Sequence, residues 1–343
     1  MHTQILSDAD SVPAPKQALT NRLVLFGARY AIVVGFVLLL IGMSFASPYF
    51  LTSFNLLNVV RQAAPVLMVG VGMTFIMATG GIDLSVGSVV ALTSVLCADL
   101  LARGVPIPVV AVLMLVLGGA VGLVNGIFVV LGMPSFVVTL ASLTFVRGFA
   151  FVYSQGYAIA VASPAFKELG RGWVGPLPIS GTLALLIAVA GHIVLLHTRL
   201  GRYMLAVGGR EEAARVQGIR TGRVKLFAYI STGVLAGGAG LVITSWLGNG
   251  SPNAGIGFEL DVITPVVLGG TSLFGGQATI FGTVIGGLFT NFVRNGLNLR
   301  GVDPYWVQVV TGLILLFAVF FNTRVASRLT EVARLAAHRE ADQ

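Results

Sequence analysis

Apolar runs of about twenty residues recur along most of this chain, separated by short polar connections, and that recurrence constrains its fold more than any other feature. Each run has the length of a helix crossing the ~30 Å hydrocarbon core of a bilayer. Ten segments can be drawn, near 26–46, 64–79, 82–101, 107–131, 136–153, 177–196, 226–247, 260–273, 280–297 and 306–321. The expected fold is therefore all-α, a polytopic transmembrane helical bundle of about ten spans. Segments 64–79 and 260–273 are short for a crossing, so short, broken or re-entrant helices are expected near 64–87 and 260–276. The stretch 51–62, LTSFNLLNVVRQ, is amphipathic and reads as an interfacial helix rather than a span.

Of the 343 residues, 56% are hydrophobic and only 10% are charged, whereas a soluble domain carries about 25% charged residues. The 44 glycines suit a membrane bundle, where small residues let helix backbones approach. A net charge of +8 invites a nucleic-acid reading, but its carriers sit in short loops and tails. Arg22 and Arg29 precede the first run, and Arg199, Arg202, Arg210, Arg215, Arg220, Arg223 and Lys225 crowd one loop. Arg324, Arg328, Arg334 and Arg339 follow the last run. This is the positive-inside pattern, which rejects nucleic acid and assigns all three clusters, with both termini, to the cytoplasm. Arg294 and Arg300 fall on the outer side, against the rule. Residues 1–24 read as a disordered cytoplasmic tail, 25–322 as the membrane domain with a cytoplasmic loop at 198–225, and 323–343 as a second cytoplasmic tail. The N-terminal residues lack the charged–apolar–cleavage order of a signal peptide. The lone Cys97 excludes a disulfide framework within the chain and reads as a packing residue.

The segment Thr79-Gly80-Gly81-Ile82-Asp83-Leu84-Ser85-Val86-Gly87-Ser88 interrupts this apolar background. A carboxylate at hydrocarbon depth costs at least ~2.5–3.5 kcal/mol on insertion scales, so Asp83 should face protein or a wet cavity. Irregular backbone at that depth is tolerated only where it is buried or lines a cavity. Two readings stand: a pathway or gate, or close helix packing with Asp83 capping a helix start at the interface. The pattern Gly80-Gly81-x-x-Leu84-x-x-Gly87 recurs as Gly269-Gly270-x-x-Leu273-x-x-Gly276, and paired glycine-interrupted segments point to a transporter's binding site.

Chemistry of its own is not expected of this chain. His2, His192, His197 and His338 have no metal-ligand spacing with Cys, Asp or Glu, and no nucleophile–base set can be assembled. None of Lys16, Lys167 and Lys225 ends a phosphate-cradling Gly-x-x-x-x-Gly-Lys loop. No cofactor is expected, and any energy from nucleotide must come from another subunit.

The loop RLGRYMLAVGGREEAARVQGIRTGRVK holds a second signal. Glu211 and Glu212 suit a helix N-terminus, Arg215 suits its C-terminal end and pairs with Glu211 at i,i+4, and Gly218 stops the helix. Such a helix, presenting Ala213, Ala214 and Val216, suits docking in a cleft of a cytosolic partner; a solvated loop whose arginines only fix topology remains the alternative.

Together, GGIDLSVGS, the GGxEEAAxxxGI loop, Pro134-Ser135-Phe136-Val137-Val138-Thr139-Leu140, Arg147-Gly148 and Gly269-Gly270-Thr271-Ser272-Leu273 resemble the permease subunit of ribose-type (carbohydrate-uptake) bacterial ABC importers. The resemblance covers roughly residues 25–322. It implies import of a monosaccharide through the bacterial inner membrane, driven by ATP and dependent on a binding protein. The implied partners are an ABC ATP-binding subunit, which binds ATP and Mg, a periplasmic sugar-binding protein, a second permease copy or a related one, and membrane lipid. Residues Arg210, Glu211, Glu212, Ala213, Ala214, Arg215 and Gly218 then match the coupling helix. Asp83, Ser85, Asn125, Thr139, Thr271, Ser272, Asn291 and Asn295 are the candidates for a lightly polar pathway, and Arg147 for a structural role. Arg210 stands where the family usually has Asn, and Ala278 where it usually has Gly. The rival is a carrier driven by an ion gradient, for which Asp83, Asp99, Glu259 and Asp261 are the only acids in or beside the apolar cores of the first nine spans.

Overall fold

Helices dominate because a chain this apolar satisfies its backbone within each segment. The computed structural model describes residues 32–45, 47–303 and 305–320; both tails, with their basic clusters, lie outside them. In order the helices are α1 (Ile32–Phe45), α2 (Ser53–Ala78), α3 (Val86–Ala102), α4 (Ile107–Val130), α5 (Ser135–Ser154), α6 (Pro164–Arg171), α7 (Ile179–His197), α8 (Arg199–Gly209), α9 (Glu211–Val216), α10 (Thr221–Leu247), α11 (Phe258–Leu268) and α12 (Ile280–Leu299), then α13 (Tyr305–Phe320). Five of them, α2, α4, α5, α7 and α10, are long and apolar enough to cross a membrane, and α1, α3 and α13 are shorter apolar helices.

Helix α2 is the most buried of the five. In its most apolar stretch 83% of residues are buried, against 28% in α4 and 22% in α5. The peripheral helices instead turn Val116, Phe145 and Leu186 outward, each more than 60% exposed, as lipid-facing helices do. Close approach of α4 to α10 explains part of the glycine content. A Cβ on Gly118 would stand 2.1 Å from the Gly233 carbonyl oxygen, and one on Gly122 2.2 Å from that of Tyr229. With Gly126 these glycines repeat every fourth residue, one face of a helix, and the backbones meet along it.

Two expectations need correction. The stretch 51–62 is not a separate interfacial helix. From Ser53 on it is the first part of α2, which is capped by Thr52 and runs unbroken for 26 residues through Pro65. Its Asn55 is satisfied by protein: the amide donates to the Phe50 carbonyl at 2.8 Å and exchanges two 2.8 Å bonds with Asn295. Nor is the chain purely α: Ile159–Ala160 (β1) pairs antiparallel with Asn249–Gly250 (β4), and Trp173–Val174 (β2) with Leu177–Pro178 (β3). Between these strands the short α6 clamps the end of α10. Ser245 Oγ donates to the Phe166 carbonyl at 2.6 Å and accepts from the Gly170 amide at 2.7 Å, while Arg171 Nε donates to the Trp246 carbonyl at 2.9 Å. Arg294, the exception to the positive-inside pattern, is paired: its guanidinium grips both oxygens of Asp261. A paired arginine is a weak topological signal.

The expected helix breaks agree with the structure at two places, although the run at 64–79 is not short, being part of the 26-residue α2. α2 ends at Ala78 and α3 begins at Val86, leaving a non-helical bridge. α11 has 11 residues, about 16 Å at 1.5 Å per residue, and a second non-helical bridge separates it from α12.

Candidate functional site

The first bridge is held from all sides. Gly80 has φ +80°, a left-handed turn that glycine takes without strain. Ile82 then has no helical neighbours, and other helices supply its partners. Its amide donates to Ser135 Oγ at 3.2 Å, and its carbonyl accepts the Tyr229 hydroxyl at 3.3 Å. Asp83 is 1% exposed. Its Oδ1 accepts the Ser85 amide at 2.8 Å and the Ser85 hydroxyl at 2.6 Å, and Ser85 Oγ in turn accepts Asn125 Nδ2 at 2.9 Å. Asp83 thus turns the chain into α3 from inside the bundle by bonding the Ser85 amide.

The second bridge is built similarly. Thr271 Oγ1 accepts the Thr279 amide at 3.2 Å, Ser272 Oγ accepts the Phe274 amide at 3.2 Å, and the Ser272 amide donates to the Gln277 carbonyl at 2.9 Å. The two bridges meet: the Gly276 amide donates to the Ala78 carbonyl at 3.2 Å. Gly208, near the end of α8, lies against both. A Cβ there would stand 2.0 Å from the Ala78 oxygen and 2.6 Å from the Gly276 nitrogen. Three backbones therefore touch where both repeats of the glycine pattern reach the α8–α9 loop. The sequence echo signals the pair of bridges, but no local signal announces Gly208 as their contact.

α9 follows directly. Glu211 and Glu212 occupy its first turn, Arg215 its last, and Gly218 has φ +82°, as the charge pattern anticipates. Arg215 lies 3.6 Å from Glu211, but the closer partner is Lys225 of α10, whose Nζ donates to Glu211 Oε2 at 2.6 Å. Burial alone would raise the Glu211 carboxyl; the hydrogen bond and charge of Lys225, with Thr221 and Arg215, outweigh it and hold the group below its ordinary value. Ala214, expected on the presented face, is 2% exposed and packs inward in a cluster with Val138, Val224 and Tyr229. The outer face carries Arg210, Glu212, Ala213, Arg215 and Gly218, with Val216 89% exposed. A cleft of about 450 Å³ beside this loop is lined by Glu211, Arg215, Arg220, Arg223 and Lys225.

The expected pathway residues do not form one lining in the single chain. Asp83, Ser85 and Asn125 form one buried cluster, with Thr139 beside it donating to the Ser135 carbonyl at 2.9 Å. Thr271 and Ser272 shape the second bridge, and Asn295 pairs with Asn55. Asn291 lines a cavity of about 400 Å³ toward the other end of the bundle, with Arg61, Gln62, Asp261 and Arg294. Arg147 is structural, as expected, donating to the Pro252, Ala254 and Gly255 carbonyls at 3.2, 2.9 and 2.9 Å. The acids considered for ion coupling are largely engaged: Asp99 accepts from Arg103 at 2.8 Å and from Tyr153 at 2.5 Å, and Asp261 holds Arg294.

A helical membrane bundle with two abutting helix breaks and a short docked helix on one loop defines a transport subunit rather than an enzyme. The family model described as branched-chain amino acid transport system / permease component matches residues 55–319, and the chain belongs to that family. The ribose import permease protein of Bacillus subtilis is 40% identical over 295 residues, covering 85% of this chain and 91% of that one. That of Escherichia coli (strain K12) is 38% identical over 298 residues, covering 85% and 92%. The L-arabinose ABC transporter permease protein of Azospirillum brasilense is 35% identical over 297 residues, covering 86% and 87%. No solved structure matches.

Proposed function

We propose that this chain is the membrane-spanning subunit of an ATP-driven, binding-protein-dependent importer that brings a monosaccharide into the cytoplasm. The observation that carries the substrate class is similarity over 85–86% of the chain to permeases named for ribose and L-arabinose, although the family description itself names amino acids. α1–α5, α7 and α10–α13 make ten crossings, α11 with its bridge completing one of them, with both termini and the α8–α9 loop cytoplasmic. Seven cations between Arg199 and Lys225 support that orientation.

α9 is the element that meets the ATP-binding subunit, through Arg210, Glu212, Ala213, Arg215 and the exposed Val216. Its closure reaches both helix breaks through the backbone contacts of Gly208. ATP and Mg²⁺ bind that partner, not this chain. A second permease copy completes the pathway, so that the two broken-helix regions face each other across it. Lipid covers the exposed apolar faces of α4, α5 and α7.

The test is uptake by proteoliposomes containing the chain, its ATP-binding subunits and a sugar-loaded binding protein. Labelled D-ribose, L-arabinose or D-allose should accumulate only with internal ATP. Uptake driven by a proton or sodium gradient without the ATP-binding subunits would overturn the assignment.

A further inference from the structure

The cavity of about 400 Å³ lies between α2, α10, α11 and α12. It sits away from the α9 end of the bundle: Trp246 is near the last residue of α10, whose first turn adjoins α9, and Arg61 is in the half of α2 remote from Ala78. Its volume is that of a small-molecule site. Its wall is chemically mixed: two guanidinium groups (Arg61, Arg294), a carboxylate (Asp261), the amides of Gln62, Asn291 and Asn298, and the indole of Trp246.

The two arginines are fixed before any ligand arrives. Arg294 is clamped by Asp261, with Nη1 donating to Oδ2 at 2.9 Å. Arg61 donates from Nη1 to Asn58 at 3.3 Å and lies over the Trp173 ring, 4.8 Å from its centre. Neither Nε has a hydrogen-bond partner in the protein, although both are buried.

We infer that this cavity is a sugar-binding site within the permease itself, a station on the face remote from α9. The inference rests on the sugar-importer reading and adds a site to it. Hydroxyl groups both donate and accept, which fits a wall holding donors (Arg61, Arg294), an acceptor (Asp261) and amides that do both. The Trp246 indole adds an apolar face. A phosphate group fits less well, because Asp261 neutralises one of the two cations and offers only acceptors.

The chain's three tryptophans are the probe, because Trp173 lies under Arg61, Trp246 is in the wall, and Trp306 adjoins the lining residue Val307. The intact transporter, permease with ATP-binding subunits, is placed in phosphatidylcholine nanodiscs without binding protein and titrated with D-ribose, L-arabinose or D-allose. A saturable change in tryptophan emission is expected with at least one of them. Arg61→Gln should raise the half-saturating concentration about tenfold, equivalent to about 1.4 kcal/mol. Asn298→Leu, at an exposed rim position, should weaken binding in the same direction and guards against misfolding of the arginine variant. No saturable response to any of the three sugars would overturn the inference. So would a response confined to inorganic phosphate or to nanodiscs containing phosphatidylglycerol, which would make this an anion or lipid site. Either outcome leaves ATP-dependent sugar uptake in proteoliposomes intact, so failure of the site is distinguishable from failure of the importer reading.

Discussion

Gly208→Ala tests the contact between the α8–α9 loop and the two helix breaks. The added methyl carbon would stand 2.0 Å from the Ala78 carbonyl oxygen, where ordinary contact begins at 3.4 Å. The backbones must therefore separate by about 1.4 Å, and because the obstacle is backbone, no side chain can swing away. Separation also stretches the 3.2 Å bond from Gly276 to Ala78. Overpacking costs about 1–3 kcal/mol and a lost backbone hydrogen bond about 0.5–1.5 kcal/mol, so destabilisation of about 2–4 kcal/mol is expected. The neighbouring Gly209 is the matched control, since a Cβ there meets nothing within 4 Å. Both variants are assayed for thermal unfolding of the assembled transporter and for the ratio of sugar-stimulated to basal ATP hydrolysis. Gly208→Ala should unfold earlier and lose stimulation, whereas Gly209→Ala should match the parent. Equal behaviour of the two variants would refute a mechanical role for the junction.

The faces of α9 predict opposite effects from neighbouring alanines. Ala213→Trp should block co-purification of the ATP-binding subunit without lowering permease yield, whereas Ala214→Trp, which overfills the inner cluster, should lower the yield itself; the reverse order would refute the assigned faces. The depressed Glu211 carboxyl means that its pairing stabilises the loop above the ordinary glutamate range and that this contribution is lost as pH falls through the lower folded value. Protection factors at α9, taken against the intrinsic exchange rate at each pH, should therefore fall on acidification, and Lys225→Met should flatten that dependence; an unchanged profile would sink the pairing. Asp83→Asn keeps an oxygen for both Ser85 bonds and should preserve assembly. Asp83→Leu leaves the Ser85 amide unpaired and should cost about 1–3 kcal/mol, so equal yields of the two would refute the turn as the role of Asp83.

Much of this architecture is legible one residue type at a time. The apolar runs mark the helices, because a backbone in hydrocarbon must bond within its own segment. The glycine-flanked Asp83 and the Gly269-Gly270 pair mark the breaks, and the charges of Glu211, Glu212 and Arg215 with the stop at Gly218 mark α9. These are local effects, carried by φ preference, charge against the helix dipole and hydropathy.

What the sequence does not carry is which side of each element faces which neighbour. Spans apolar on all sides give no amphipathic stripe to separate a lipid face from a protein face, and the six-residue α9 is too short for a pattern to tell the buried Ala214 from the exposed Ala213. The i,i+4 rule finds Arg215 for Glu211 but not Lys225, fourteen residues on and closer in space. Asn55 finds Asn295, Arg294 finds Asp261, and Gly208 meets Ala78 and Gly276 only because folded helices bring remote backbone and side chains together. The same packing puts Arg61 and Arg294 beside one cavity. The chain alone determines where helices start, stop and break; tertiary packing decides what each break and each charge touches, because those partners are separated by tens to hundreds of residues.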